Sequence, residues 1–236
     1  MTRLAEKYLE RYFGEDPHPY QILVEATERH INPESVLLDG GCGRTAPVLK
    51  TFAGKVKRRI GVDLVEFTSP IDGIELIRTD MGEVPLPDNS VDVIMSRSVM
   101  EHVVDPPKVY REMWRILKPG GYFVFLTGNL WDYSALVAML VPNRFHPWIV
   151  ARVQGRKEED VFPVAYKTNS YGAVQKWANL SQFEIKSFRY LGQYPAYFMF
   201  NGFLFLIATG YEKLICRFEC LRFLRGWILV TLRKPL

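Results

Sequence analysis

A glycine-rich segment, Asp-Gly-Gly-Cys-Gly at residues 39–43, directly follows an apolar run at residues 36–38. A short apolar run of this kind is typical of a strand that is buried on both faces of a parallel sheet. The glycines let the backbone turn sharply and approach a ligand closely, and a helix that follows them offers unpaired N–H groups. The sequence therefore predicts a strand, loop and helix that together bind a nucleotide-like cofactor.

An acidic residue, Asp63, ends the next apolar run, twenty residues after Gly43. A carboxylate at the tip of a second strand is placed to accept hydrogen bonds from both hydroxyls of a ribose. Gly41, Gly43 and Ala46 also have the spacing of the dinucleotide fingerprint, so the loop by itself leaves a dinucleotide cofactor open. Asp39 favours a different cofactor. Its carboxylate would repel the pyrophosphate of a dinucleotide, but it would pair well with a cationic amino-acid tail. S-adenosylmethionine has such a tail and no phosphate.

With these residues the chain resembles the class I S-adenosylmethionine-dependent methyltransferases, in order over residues 35–128. The matching segments are Leu38–Gly43, Gly61–Asp63, Thr79–Met81, Ser96–Val103 and Arg115–Gly121. The resemblance implies that the first segment is the cofactor loop, that the second binds the ribose and that the third holds the adenine. It implies a cofactor site made of Asp39, Gly40, Gly41, Gly43, Asp63, Leu64, Asp80, Met81 and Ser96.

One departure from the family pattern is Thr45, where many members have a third glycine. Threonine is a good N-cap residue, and Pro47 suits the first turn of a helix. We therefore expect Thr45 to cap a helix that begins at Ala46, which would leave the cofactor site intact.

The coarse pattern of the chain indicates the fold class. Helical stretches or turn clusters separate five apolar runs, which lie near residues 35–39, 58–63, 74–78, 91–96 and 121–127. This alternation is expected of a mostly parallel sheet with helices on both faces. The resemblance adds a C-terminal antiparallel hairpin, which residues 183–190 and 227–232 would supply. We predict an α/β fold with a Rossmann-like, mostly parallel, seven-stranded sheet whose hairpin carries a helical insertion.

The length of 236 residues permits one sizeable core, and we predict a single domain over residues 1–236. Residues 35–128 would bind the cofactor. Two regions outside this core are expected to select the substrate: the 129–170 connection, which carries many aromatic side chains, and the 194–225 insertion. The 129–170 connection far exceeds an ordinary loop of ~4 to 6 residues, and such length is typical of a lid or a binding loop.

The 194–225 insertion begins almost wholly apolar and continues with apolar residues at helical spacing opposite basic ones. Three interpretations stay open: a helix pair that covers the core, a wall for an apolar substrate, and a helix that lies on a membrane surface. We therefore expect a small-molecule or lipid-like acceptor, with membrane-surface contact through this insertion as one alternative.

Methyl transfer from a sulfonium depends on alignment and exclusion of water, and needs a base only when the nucleophile must lose a proton. His102, after the fourth predicted strand, and His146, in the 129–170 connection, are the candidate catalytic bases because histidine titrates near neutral pH. For His102 the alternative is structural: together with Glu101 it would position the following helix and order the cofactor pocket. For His146 the alternative is an ordinary loop histidine.

Charge, cysteine content and hydropathy limit the partners and the compartment. Residues 211–236 carry six basic and two acidic side chains, and this local +4 equals the net charge of the chain. Aromatic and aliphatic residues separate these basic residues, which argues against a nucleic-acid partner. Cys216 and Cys220 have no His or Cys companion at metal-ligand spacing, so we predict no metal site. No segment reaches the ~20 apolar residues of a membrane span, and we expect a cytoplasmic protein or one attached peripherally to the inner face of a membrane.

The sequence thus favours an S-adenosylmethionine-dependent methyltransferase acting on a small, apolar or lipid-linked acceptor. Two alternatives from other classes stay open. A nicotinamide-dependent oxidoreductase would use a similar Rossmann-like core, and a catalytically silent S-adenosylmethionine-binding or scaffold protein would keep the fold without the reaction.

Overall fold

The computed structural model describes residues 2–133, 135 and 162–236. Within them, seven strands form one sheet in the order β3-β2-β1-β4-β5-β7-β6. The strands are β1 (Val36–Gly40), β2 (Arg58–Asp63), β3 (Ile74–Arg78), β4 (Val91–Arg97), β5 (Leu117–Gly128), β6 (Glu184–Leu191) and β7 (Trp227–Arg233). The helices are α1 (Arg3–Phe13), α2 (Pro19–Glu28), α3 (Pro47–Lys50), α4 (Pro106–Ile116), α5 (Tyr171–Leu180) and α6 (Gly202–Arg217). Short 3-10 helices span Met100–His102, Ala196–Phe198 and Glu219–Leu224.

The first five strands of the sheet run parallel, and β1 lies between β2 and β4. The chain crosses from β3 to β4 over β2 and β1, so the strand order reverses at the boundary between β1 and β4. In open α/β sheets, ligands bind beyond the carboxyl ends of the strands at such a reversal. β7 lies between β5 and β6 and supplies the antiparallel part of the sheet. The predicted seven-stranded, mostly parallel α/β fold with a C-terminal hairpin is therefore confirmed.

The chain divides into two compact units. We call the larger one the sheet unit; it comprises Tyr20–Thr127, Ala165–Arg189 and Leu229–Leu236. We call the other the helical unit; it comprises Met1–Pro19, Gly128–Val164 and Tyr190–Ile228. The predicted cofactor segments belong to the sheet unit and the 194–225 insertion to the helical unit. The single domain over residues 1–236 stays a prediction.

One face of the parallel sheet is covered by α2 and α3. Leu37, Val93 and Met95 point to this face and pack against Leu49 and Phe52, which are fully buried. Side chains alternate along a strand, so every second residue of β1 and β4 shares this face. Asp39, two residues after Leu37, therefore lies on this buried face at the carboxyl end of β1.

Helix α4 shows how local sequence determines where a helix starts. Asp105 is the N-cap residue, and its side chain accepts a hydrogen bond of 3.2 Å from the Lys108 N–H. Pro106 occupies the first turn, where its missing N–H costs nothing. Tyr110 and Met113 are fully buried, as expected for one apolar stripe of an amphipathic helix.

Lys234 anchors the chain just after β7. Its side chain is buried, and Nζ donates to the Asn89 Oδ1 atom at 2.7 Å and to the carbonyls of Trp114 and Leu117 at 2.8 Å. The same ammonium lies 3.8 Å from the centroid of the Trp114 ring. Three acceptors and an aromatic face satisfy a buried cation that would otherwise be costly. Lys234 thus fixes the end of β7 to the start of β5.

The prediction that Thr45 caps a helix starting at Ala46 is wrong. Helix α3 begins at Pro47, and its N-cap residue is Ala46, whose φ of 41° is left-handed and whose side chain makes no capping bond. The glycine loop therefore continues through Ala46. A helix could not include a residue with this backbone conformation, so Thr45 stays in the loop and is exposed.

Helix α6 is the longest described helix of the helical unit, and it lies within the predicted helical insertion at residues 194–225. Asn201 caps this helix, because its Oδ1 atom accepts hydrogen bonds from the N–H groups of Phe203 and Leu204 at 3.0 and 3.2 Å. Helix α1 packs along α6, and a Cβ atom at Gly202 would lie 2.8 Å from side-chain atoms of Leu4. Among the described residues, no helix is long and apolar enough to cross a membrane.

Candidate functional site

The predicted cofactor residues of β1, β2 and β4 meet at the carboxyl end of the sheet. Gly40, the last residue of β1, pairs with Val62 of β2 and with Ser96 of β4. Asp63 follows Val62 and ends β2. The register thus gathers three segments that are far apart in sequence, in the place that the sequence predicts for the cofactor.

The glycine loop turns back over the end of β2. Gly41 has a φ of 82°, and its N–H donates to the Val62 carbonyl at 2.7 Å. A Cβ atom at position 41 would overlap the side chain of Val99, so both backbone conformation and space require glycine here. Gly43 has a φ of 74°, and a Cβ atom there would meet nothing within 4 Å. The loop is therefore packed at Gly41 and open at Gly43.

Asp63 ties this loop to β2. Its Oδ2 atom accepts a hydrogen bond of 2.7 Å from the Gly43 N–H, and its Oδ1 atom accepts one of 3.1 Å from the Val65 N–H. Each carboxylate oxygen has a second lone pair, so acceptor capacity remains for a ligand. The sequence did not predict that Asp63 holds the glycine loop in place. Its contact with a ribose stays a prediction.

Asp39 is the least compensated polar group of the site. It is 2% exposed, and its Oδ1 atom has no hydrogen-bond partner among the described residues. Burial raises the pKa of this carboxyl to about 7, Arg97 lowers it and Asp63 raises it further. The hydroxyl of Ser96 is also fully buried without a described partner. A ligand with a cationic amino group would satisfy the Asp39 carboxylate, whereas a pyrophosphate would be repelled by it.

The remaining cofactor candidates surround the loop in different ways. Met81 is buried, and a Cβ atom at Gly40 would lie 2.6 Å from its Cε atom, so Met81 packs directly on the loop. Asp80 is exposed and stabilises its own turn, because its Oδ1 atom accepts a 2.6 Å hydrogen bond from the Gly82 N–H. Leu64 is exposed, and its carbonyl accepts a hydrogen bond from Arg78. The part of Asp80 in holding adenine stays a prediction.

Of the two candidate bases, only His102 lies in the described part of the chain. It ends the 3-10 turn after β4, its side chain is half-buried, and its N–H donates to the Val99 carbonyl at 2.8 Å. The regular helix α4 starts only at Pro106, so His102 precedes that helix. His146 lies outside the described residues. Among the residues that the structure does describe, no cluster of His, Cys, Asp and Glu could hold a metal ion.

A buried polar network next to His102 was missed by sequence reasoning. Asn169 donates to the Thr127 hydroxyl at 2.8 Å, and that hydroxyl donates to the Glu101 carboxylate at 2.5 Å. The Thr168 hydroxyl donates to the Met100 carbonyl at 2.8 Å. The Glu101 carbonyl also accepts the backbone N–H groups of residues 165 and 166. These bonds hold the turn that carries His102 against β5, as expected if Glu101 orders the site.

Comparisons with known proteins show which proteins this region is similar to. Residues 38–125 match the family model described as a methyltransferase domain. A probable S-adenosylmethionine-dependent methyltransferase of Mycolicibacterium smegmatis is 33% identical over 103 residues, which are 42% of this chain and 40% of that protein. The ubiquinone/menaquinone biosynthesis C-methyltransferase UbiE of Acidiphilium cryptum is 31% identical over 133 residues, covering 56% of this chain and 50% of that protein. The chain thus spans half the length, or less, of these relatives.

Solved structures are similar in fold. Geranyl diphosphate C-methyltransferase from Streptomyces coelicolor A3(2), in complex with Mg2+, geranyl-S-thiolodiphosphate and S-adenosyl-L-homocysteine, matches with a TM-score of 0.54 at 18% identity. The match covers 91% of this chain and 76% of that chain. At this identity the likeness concerns the fold alone, and it agrees with the Rossmann-like sheet described above.

Replacing Asp39 by Asn should change how stability depends on pH. The pKa of the folded carboxyl, about 7, lies above its ordinary value of 3.8, so wild-type stability is lost as pH rises between these values. Asn carries no charge and avoids this loss. We expect the free energy of unfolding of Asp39→Asn minus that of wild type to grow from pH 4 to 7, by on the order of 4 kcal/mol, and then to level off. Urea unfolding of ligand-free protein measures this difference; a difference independent of pH would contradict the prediction.

Proposed function

We propose that this protein, whose residues 38–125 match the methyltransferase domain model, is a class I S-adenosylmethionine-dependent methyltransferase that transfers a methyl group to an oxygen, nitrogen or carbon atom of a small acceptor. The observation that carries the proposal is the buried carboxylate of Asp39, which lacks a partner for Oδ1 at the end of the central strand. A cationic amino-acid tail is the ligand chemistry that this carboxylate fits best.

In this proposal each part of the site has a separate role. Asp39 binds the ammonium group of the cofactor, and Asp63 uses its remaining lone pairs for the ribose hydroxyls. Asp80 and Met81 hold the adenine, and Ser96 offers a hydroxyl at the adjacent strand end. The glycine loop lets the cofactor approach the backbone closely, which Gly43 supports because no atom lies within 4 Å of a Cβ placed there.

S-adenosylmethionine, when bound, supplies a methyl group that its sulfonium centre already activates. The protein then has to align the acceptor with that methyl group and exclude water. His102 takes the proton of the acceptor where the nucleophile must lose one. The hydrogen bonds that join Glu101, Thr127 and Asn169 support this role, because they fix the turn that ends with His102.

The site is less consistent with one of the two alternatives. A nicotinamide dinucleotide would bring a pyrophosphate to a carboxylate that is already hard to ionise. A catalytically silent S-adenosylmethionine-binding protein would keep Asp39 for the same cofactor, so only turnover separates it from the proposed enzyme. Both alternatives remain distinguishable by binding and turnover.

The acceptor in our proposal is apolar or lipid-linked. Two similar proteins are named for such chemistry: UbiE for ubiquinone and menaquinone biosynthesis, and the Streptomyces enzyme for geranyl diphosphate. The helical unit adds support from this chain. Phe203, Ile207 and Leu214 form one stripe of α6, and they are 70, 58 and 49% exposed.

Contact of this stripe with an anionic membrane surface is the second part of the proposal, and it would place the protein at the inner face of a membrane. Arg217 ends α6, and Arg222 lies in the following 3-10 helix at 3.9 Å from the Glu219 carboxylate; both are exposed. Exposed cations together with an apolar stripe are typical of interfacial helices. Arg225, which the sequence pattern groups with them, is engaged otherwise. It donates to the Ile215 and Cys216 carbonyls at the end of α6 and pairs with Glu219 at 2.5 Å.

Calorimetric titration tests the cofactor. Wild type should bind S-adenosylhomocysteine and not NAD. Asp39→Ala should weaken S-adenosylhomocysteine about ten- to a hundredfold, because it removes a charge-assisted hydrogen bond of ~1.5 to 3 kcal/mol, without lowering thermal stability. Asp63→Ala should lower both the affinity for S-adenosylhomocysteine and the thermal stability, since two backbone N–H groups also lose their acceptor. Asp72→Ala, an exposed acid before β3, is the control. Tighter binding of NAD would overturn the proposed function.

His102→Gln tests the base. Turnover with an acceptor that must lose a proton should fall, while the dissociation constant of S-adenosylhomocysteine stays unchanged, because the side chain acts on the acceptor. His30→Gln is the control for losing a packed histidine outside the proposed site, because His30 stacks on Tyr122 with ring centroids 3.8 Å apart. A parallel loss of cofactor affinity and melting temperature in His102→Gln would assign His102 a structural role instead.

Co-sedimentation with liposomes tests the membrane contact. Binding should rise with the content of anionic lipid and fall with salt, each surface cation contributing about 1 kcal/mol. Replacing Arg217 and Arg222 by Gln, or Phe203 and Ile207 by Ser, should release the protein while cofactor binding persists. Leu180→Ser is the matched control, because Leu180 is 65% exposed on α5. Wild type that stays in the supernatant at low salt would exclude the membrane contact.

A further inference from the structure

Two acidic side chains are buried inside the helical unit. Glu212 of α6 is fully buried, and Asp132 is 1% exposed. The Gln193 side-chain amide donates to the Asp132 Oδ2 atom over a long distance of 3.5 Å. Burial and the charge of Asp132 raise the pKa of Glu212, and the Gln193 backbone lowers it. Among the described residues, however, neither oxygen of Glu212 has a hydrogen-bond partner, and a buried carboxyl group without a donor costs stability unless a ligand supplies one.

Two tyrosines accompany these acids. Tyr133 follows Asp132 in the chain, and Tyr211 precedes Glu212. The two tyrosine rings meet edge to face with their centroids 5.7 Å apart, and this contact brings both acid–tyrosine pairs together. Burial raises the pKa of each tyrosine, and the charges of Asp132 and Glu212 raise it further, as expected of four neighbouring groups. The Tyr133 hydroxyl is also buried without a described hydrogen-bond partner. We call these four residues the acid–tyrosine cluster.

The acid–tyrosine cluster joins the two regions that the sequence predicts to select the substrate. Asp132 and Tyr133 belong to the 129–170 connection, and the other two residues belong to the 194–225 insertion. Both tyrosines are half-buried, so the cluster is not sealed from solvent on the side of their rings. The two predicted substrate regions thus meet through polar groups, which can select a ligand by its charge.

Basic residues near Glu212 are engaged elsewhere. Lys213 follows Glu212 in α6 but pairs with Asp16 at 2.7 Å. Arg225, after the 3-10 helix that follows α6, pairs with Glu219 at 2.5 Å. In the part of the chain that the structure describes, no Lys, Arg or His counteracts the rise in the pKa of Glu212. A cation that balances this carboxylate would therefore have to come from a ligand.

An ammonium group has the chemistry that fits the acid–tyrosine cluster. Carboxylates balance its charge, and the faces of tyrosine rings attract it, as in aromatic sites that bind quaternary ammonium ligands. We propose that the acid–tyrosine cluster binds an ammonium group of the acceptor, which is then an apolar molecule with an amine or a quaternary ammonium group. The cluster recognises this group and does not react with it. The inference deepens the proposed function and rests on it, because it names the class of acceptor.

Calorimetric titration with choline and with neohexyl alcohol tests the ammonium site. Choline carries a permanent positive charge, and neohexyl alcohol is its uncharged carbon analogue of nearly the same shape. Wild type should bind choline and not the alcohol. Glu212→Gln keeps the size of the side chain and should weaken choline about ten- to a hundredfold, because it removes the charged partner of the ammonium group. Glu15→Gln, at an exposed acid of the helical unit, is the matched control and should bind choline as wild type does.

Proton release gives a second readout, which a purely structural role of Glu212 would not change. Burial and the nearby Asp132 raise the pKa of Glu212 to about 8, so a bound ammonium group should displace its proton at pH 7. The other titratable groups near Glu212 keep their protons at this pH, because burial raises their pKa values: Tyr133, Tyr211 and Cys216. Titrations in two buffers of different ionisation enthalpy should show about one proton released per choline in wild type and none in Glu212→Gln. Choline binding without proton release in wild type would contradict binding at Glu212.

The outcomes separate the ammonium site from the proposed function. Wild type that does not bind choline, or binds neohexyl alcohol equally well, would overturn the site. Choline affinity that Glu212→Gln leaves unchanged would overturn it too. If wild type binds choline but neither S-adenosylmethionine nor S-adenosylhomocysteine, the site stands and the proposed function fails. Should Glu212→Gln lower the melting temperature, Asp132→Asn decides: it should also weaken choline about ten- to a hundredfold.

Discussion

The burial of the Asp39 carboxylate is the constraint on which the site depends. Asp39 lies on the central strand, where Gly61 on one side lacks a side chain that could approach it and Met95 on the other offers no hydrogen bond. Removing a carboxylate from water without full compensation is costly, and only the charge of Arg97 favours its ionised form. The fold carries this cost at the position where a cationic ligand group would relieve it, as is common at functional sites.

Other buried polar groups of the chain differ from Asp39 in their hydrogen-bond partners and in the charges near them. In the sheet unit, Thr127 and Asn169 are fully buried and fully connected, and such networks make a structure rigid. In the helical unit, Glu212 is fully buried, burial and the nearby Asp132 raise its pKa to about 8, and no described cation opposes this shift. Burial thus favours the protonated form of Glu212. Asp39 differs from both. Its Oδ1 atom has no described hydrogen-bond partner, yet the charge of Arg97 acts on it.

Sequence predicted the elements well where a local pattern sufficed. All five apolar runs are strands, and the hairpin strands are in place. Loop details were less predictable: Thr45 has the chemistry of a helix cap, but the left-handed Ala46 delays the helix. Contacts between distant residues, such as that of Thr127 with Asn169, leave no local pattern at all.

The strand order also affects how the chain completes its sheet during synthesis. β6 lies at the edge of the described sheet, and β7 is the only described strand beside it, although residues 192–226 separate the two in sequence. A ribosome therefore releases β6 well before any strand exists to pair with it, and unpaired edges are prone to wrong associations. The polar and half-exposed character of β6 reduces this hazard. The parallel strands can pair early, but the sheet is complete only when β7 pairs with both β5 and β6.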